Sequence, residues 1–107
     1  MASHAPAPIA RSLVARGLAE HRAGRFEAAE ALYRQGLAAD PNIQEGWRLL
    51  GVVLQQRGAA EASLEPIGRA LELGRNATDL SNLANALNQL ARSEQAAAAA
   101  AEALALE

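Results

Sequence analysis

The chain has 107 residues, no cysteine, and ten basic against twelve acidic residues, for a formal charge of −2. That length allows one domain with a small core, and the missing cysteines exclude disulfides and thiolate metal sites. Arg and Glu alternate along the chain, which leaves no basic face for nucleic acid and no polybasic patch for anionic lipid. Alanine fills about a quarter of the chain and every basic residue is Arg, a bias that reads as GC-rich, bacterial coding and not as function.

Residues 1–8 are small and Pro-punctuated, without the pattern of a secretory signal, and read as a disordered lead-in. Pro8 suits the first turn of a helix, where its missing N–H costs nothing. From Ile9 onward Leu13, Val14 and Leu18 recur at helical spacing until Gly24, which predicts a left-handed cap. A second helix is predicted over 26–39, with Phe26, Ala29, Leu32, Tyr33 and Leu37 on one stripe, ended by Asp40-Pro41. Asn42 and Glu45 read as a variant capping box opening the third helix; Trp47, Leu50, Val53 and Leu54 are its buried stripe and Gly58 its stop. The fourth, over 60–73, carries Leu64, Ile67 and Leu71, and Pro66 within it predicts a bend or a late start. Asn76 is read as the cap of the fifth helix (Leu80, Leu83, Leu87, Leu90) and Ser93 as the cap of the sixth. β-branched residues are few and never alternate with polar ones, so no strand is predicted.

These six blocks repeat. Gly17, Gly51 and Ala84 are in register, as are Gly24, Gly58 and Ala91, then Leu37, Leu71 and Leu104, then Leu13, Trp47 and Leu80, at a period of 34 and then 33 residues. Such a period marks a stack of helical hairpins. Loops of two to four residues make neighbouring helices antiparallel. The predicted fold is all-α, a right-handed α-solenoid of three hairpins, with a single domain over 9–107 divided into repeats at about 10–43, 44–76 and 77–107.

The middle repeat, with Trp47, Leu50-Gly51, Leu54, Gly58, Ile67 and Ala70-Leu71, resembles the tetratricopeptide repeat family. The first repeat joins it through Leu13, Gly17, Gly24, Ala29, Tyr33, Leu37 and Pro41, and the third through Leu80, Leu83-Ala84, Leu87, Ala96 and Ala103-Leu104. Arg16 and Glu20 stand where the family usually has large apolar residues. The resemblance implies a non-catalytic protein-interaction module whose first helices line a concave groove for a peptide or a helix. On that basis the groove residues are Arg11, Val14, Leu18 and His21; Glu45, Arg48, Val52 and Gln55; and Ser81, Asn82, Asn85, Asn88 and Gln89. Asn and Gln amides donate and accept at once, which suits them to peptide backbone. One branch of the family clamps chaperone C-terminal carboxylates with Lys, Asn and Arg. The corresponding places here hold Val14, Leu18, Leu49, Thr78 and Asn82, so that clamp is not expected.

Catalytic signals are poor. His21 neighbours Glu20 and Arg22, but adjacent helical residues point apart and cannot form a dyad, and no metal-binding or phosphate-loop motif occurs. No enzyme activity, cofactor or metal is expected. The longest apolar run, Ala96–Ala101, is far short of the roughly 20 residues a membrane span needs, so no membrane partner is expected and the compartment read by default is the cytoplasm. The last helix has little bulk, and the chain stops at Glu107, where another repeat would begin. It is read as a piece of a longer protein. The alternatives are the front end of a bacterial glycosyl- or sulfotransferase-type enzyme and a self-associating unit, a homodimer through the exposed C-terminal helix.

Overall fold

The computed structural model describes residues 7–107, with side chains from residue 8 onward. The expected lead-in lies outside the described residues over 1–6, and its last two residues, Ala7 and Pro8, already belong to the first helix. The helices are α1 (Ala7–Arg22), α2 (Phe26–Ala39), α3 (Gln44–Gln56), α4 (Ala60–Leu73), α5 (Ala77–Gln89) and α6 (Ser93–Ala105). There is no strand among the described residues. The pairs α1/α2, α3/α4 and α5/α6 form three hairpins, which stack α2 on α3 and α4 on α5 into a body of 42 × 30 × 22 Å.

Each hairpin turns by the same device. Gly24 and Gly58 adopt φ of 81° and 82° just past their helices. The next N–H then folds back five residues: Arg25 donates to the Glu20 carbonyl at 2.9 Å and Ala59 to that of Leu54 at 2.8 Å. The third hairpin closes in the same way, Arg92 N–H donating to the Leu87 carbonyl at 2.8 Å, but the left-handed residue is Ala91, at φ 60°.

The repeat register is a record of helix crossings. A Cβ at Gly17 would lie 2.6 Å from Tyr33 Cδ1, and one at Gly51 would lie 2.7 Å from Ile67 Cγ1. A large residue on the second helix therefore fills the site that glycine vacates on the first. The third hairpin holds Ala84 and Ala100 at these two registers. A second small position, Ala29, Ser63 and Ala96, is buried in all three hairpins. Ser63 satisfies its hydroxyl locally by donating to the Ala60 carbonyl at 2.6 Å. Tyr33 therefore sits inside the first hairpin, not chiefly between hairpins. Leu37, Ile43, Leu50 and Leu54 carry the core across the first junction, and Ile67, Leu71 and Leu80 across the second.

Three local expectations need correction. The third helix starts from Ile43 without a side-chain cap, because Asn42 is drawn into a turn in which its N–H donates to Asp40 Oδ1 at 3.0 Å. Ser93 is already helical, and its helix starts from Arg92, again without a side-chain cap. Pro66 does not delay the start of α4: it is buried as the seventh residue of a helix that runs from Ala60 to Leu73. The hydrogen bond it cannot make would have gone to the carbonyl of Ala62, an exposed residue, so water can take that place. The Asn76 cap is as the sequence predicts, its side chain accepting from the Asp79 N–H at 2.8 Å.

Two stability predictions follow from the crossings and the turns. Gly17→Ala and Gly51→Ala should each lower unfolding free energy by about 1–3 kcal/mol through overpacking. Gly68→Ala, where a Cβ meets nothing within 4 Å, should raise it by up to about 1 kcal/mol through helix propensity; urea melts followed by circular dichroism will check all three. Ala91→Gly should stabilise the chain by about 1 kcal/mol, since it removes the cost of a left-handed L-residue, and a drop in the thermal midpoint would contradict this.

Candidate functional site

The first helices α1, α3 and α5 touch in sequence, α1 against α3 and α3 against α5, and between them hold the groove residues read from the sequence. Cross-helix contacts trace the row. His21 on α1 bonds to Gln56 on α3, Gln55 Nε2 donates to the Asn82 carbonyl on α5 at 3.0 Å, and Arg48 on α3 meets Asp79 on α5. Between α1 and α3 lies a cleft of about 360 Å³, lined by Arg11, Val14, Ala15, Leu18, Ile43 and Glu45 among others. Arg11 and Glu45 are exposed, while Leu18 and Val52 are half-buried. Val14 is 4% exposed and belongs to the core; it offers the cleft only an edge. On α5, Ser81, Asn85, Asn88 and Gln89 are exposed and Asn82 is half-buried.

Not all of these side chains are available to a ligand. His21 is held at both ring nitrogens. Its Nε2 faces the Gln56 carbonyl oxygen, so Nε2 carries the proton and Nδ1 accepts from the Tyr33 hydroxyl at 2.9 Å. Burial pushes the Tyr33 phenol from its ordinary 10.0 up to about 12, with the Glu45 carboxylate adding to the effect. Asn85, Asn88 and Gln89, by contrast, carry no side-chain hydrogen bond among the described residues.

The site holds a carboxylate that sequence reasoning missed. Asp79, 1% exposed, accepts from Arg48 Nε at 2.7 Å and from Arg48 Nη2 at 3.2 Å. Gln44 Nε2 approaches it at 3.3 Å and also donates to the Ala70 carbonyl at 2.9 Å and the Gly74 carbonyl at 2.6 Å. The hydrogen bond to Asp79 raises the already high Arg48 pKa. Arg48 is therefore committed to the protein's own acid before any partner arrives. The available signal was Asn76-x-x-Asp79, a cap whose third residue is an acid at a helix N-terminus.

A second cleft, of about 540 Å³, lies on the opposite side between α2 and α4, with Leu37, Trp47 and Leu50 on its walls and Arg34, Arg69 and Leu73 among its lining. Trp47 Nε1 donates to the Pro41 carbonyl at 2.7 Å, and the Arg69 guanidinium sits 5.9 Å from the centre of the indole. Among the described residues, no three His, Asp or Glu side chains gather to hold a metal ion, and no helix is long and apolar enough to cross a membrane.

A family model described as tetratricopeptide repeat matches residues 10–53. No curated protein matches the chain. Among solved structures, the second such domain of Spaghetti (RPAP3), bound to the HSP90 peptide SRMEEVD, is similar over 92% of this chain and 92% of its own, at TM-score 0.88 and 21% identity. The N-terminal domain of stress-induced protein-1 (STI-1) from C. elegans is similar over 96% of this chain and 87% of its own, at TM-score 0.86 and 19% identity. The fold is the tetratricopeptide solenoid throughout. Residues 10–53 match the tetratricopeptide repeat, and all three hairpins share the fold of these domains.

The Tyr33 environment gives a direct spectroscopic prediction. Because folding raises the phenol's pKa, its contribution to stability is full below the unfolded value near 10 and is lost as pH rises toward about 12. Tyr33 is the sole tyrosine, so its absorbance change near 295 nm (roughly, the phenolate band) should titrate close to 12 in the folded protein and near 10 in urea; coincident midpoints would contradict the buried phenol.

Proposed function

We propose that this chain is a non-catalytic protein-interaction module that takes an extended peptide or a helix along its α1–α3–α5 face. The observation that supports this most is the contrast within that face. His21, Arg48 and Gln55 are spent on contacts within the protein, whereas Asn85, Asn88 and Gln89 stand exposed beside them. Leu18 and Val52 supply half-buried apolar surface on the neighbouring helices. A ligand laid along this face meets apolar anchors over the first two repeats and free amides over the third. The likeness to a domain bound to a peptide supports the same reading.

The test is selection of peptides from a display library on the wild-type protein. Each backbone hydrogen bond from an amide contributes about 0.5–1.5 kcal/mol, so the Asn85→Ala/Asn88→Ala variant should bind the selected peptides about tenfold more weakly, with its helicity unchanged. Arg34→Ala/Arg69→Ala, on the opposite cleft, should bind them as wild type does. Loss of affinity in the second variant and retention in the first would eliminate the inner face as the site.

A second reading has its own observation. Leu104 on the last helix and Leu106 just past its end are 72% and 51% exposed, which supports self-association through that helix.

A further inference from the structure

The outer side of α6 repeats the surface that α2 and α4 each offer to the next hairpin. Leu37 and Leu71, in register with Leu104, are 4% and 7% exposed because α3 and α5 cover them. Among the described residues no helix covers Leu104, which is 72% exposed. At the other end of the stack, Ile9 on α1 holds the register of Ile43; Ile43 is 6% exposed at the first junction and Ile9 is 53% exposed. One end therefore shows the receiving half of an inter-hairpin junction and the other end shows the entering half.

Volume and charge fit the two ends to each other. At the second junction Ile67 of α4 lies in one apolar cluster with Leu83 of α5. Their register equivalents at the two ends are Ala100 and Arg16, so a short side chain on the receiving end faces a long one on the entering end. The stem of Arg16 can lie along the alanine face of α6 while its guanidinium reaches water. α1 carries Arg11, Arg16 and Arg22 against Glu20 alone, whereas α6 carries two glutamates and no base. The second junction is further latched by Arg92 Nη2 donating to Glu61 Oε1 at 3.3 Å. The same two registers at the free ends hold Arg25, which in the single chain turns back to Glu20, and Glu94, both exposed.

We infer that the α6 face is covered by the α1 face of a second copy, head to tail, in the geometry of the internal junctions and with Arg25 of one copy opposite Glu94 of the next. Pairing two α6 faces would set acidic helix against acidic helix, and pairing two α1 faces would set basic against basic; only the mixed contact is complementary. Such a contact uses different patches on the two partners and so extends into rings or open chains. The inference rests on the self-association reading, to which it adds the identity of the covering surface.

The experiment is sedimentation velocity on the full chain and on two end-blocked variants, Ile9→Glu and Leu104→Glu, both at exposed positions that folding does not need. Wild type should grow in mass with concentration and shrink as salt is added. Each variant alone should be monomeric, and their equimolar mixture should yield a one-to-one dimer and nothing larger. Glu94→Arg should weaken assembly, and mixing it with Arg25→Glu should restore growth with concentration, because both contacts in the mixture then set Arg against Glu. Dimers of Ile9→Glu alone with none of Leu104→Glu would overturn head-to-tail contact in favour of paired α6 faces. A wild type that stays monomeric at every concentration would overturn the self-association reading itself.

Discussion

Helices in a hairpin can approach only as closely as the side chains at their crossing allow. Here the first helix of each of the first two hairpins gives up its side chain at the crossing, at Gly17 and at Gly51, and Tyr33 and Ile67 on the returning helix take that space. Everything else in the stack depends on this exchange. It fixes the distance between the two helices of a hairpin, and so fixes the groove into which α3, and then α5, can settle. It also places Tyr33 where its hydroxyl meets His21. At the third crossing both partners are alanine, so the helices are matched in size but contribute little buried area, and hydrophobic stabilisation scales with that area.

The two junctions between hairpins are built from different materials. The first sets Leu37 under Gly46 with Ile43, Leu50 and Leu54 around it, and its polar contacts, from Arg57 to Glu27 and Glu30, lie at the exposed rim. The second adds a polar tie: Gln44 and Arg48, one turn apart on α3, reach over the end of α4 to the mouth of α5 and meet Asp79 there. Taking Asp79 out of water has a cost, which the bidentate arginine, the glutamine and the helix N-terminus must offset. What the tie provides is register. An apolar seam tolerates sliding, while a carboxylate that needs Arg48, Gln44 and Asn76 together tolerates very little.

Much of this architecture was legible in the sequence because it is local or periodic. Gly24 and Gly58 announce their turns, the ends of α2 and α4 follow from Asp40-Pro41 and Gly74, and Asn76 caps α5 through a contact three residues long. What could not be read depends on which distant residues meet. Asn42 looked like a cap until the turn at Asp40 claimed its N–H. Val14 sits at a groove register, yet it is covered because Gly36 and Gly46 let the chain close over it. Arg48 read as a groove arginine, and its commitment to an aspartate 31 residues away has no signature in local spacing. The cleft between α2 and α4 is likewise a product of stacking, assembled from two hairpins and the loop between them.

Phe26, Tyr33 and Trp47 are the chain's three aromatic residues, and all lie in the first hairpin or at the start of the second. Near-ultraviolet signals and tryptophan fluorescence therefore watch one end of the solenoid, while far-ultraviolet dichroism weighs all six helices equally. In a linear stack whose units contact only their neighbours, the ends can loosen separately. The alanine-rich hairpin at the far end is optically silent, so it could fray without moving a fluorescence melt at all.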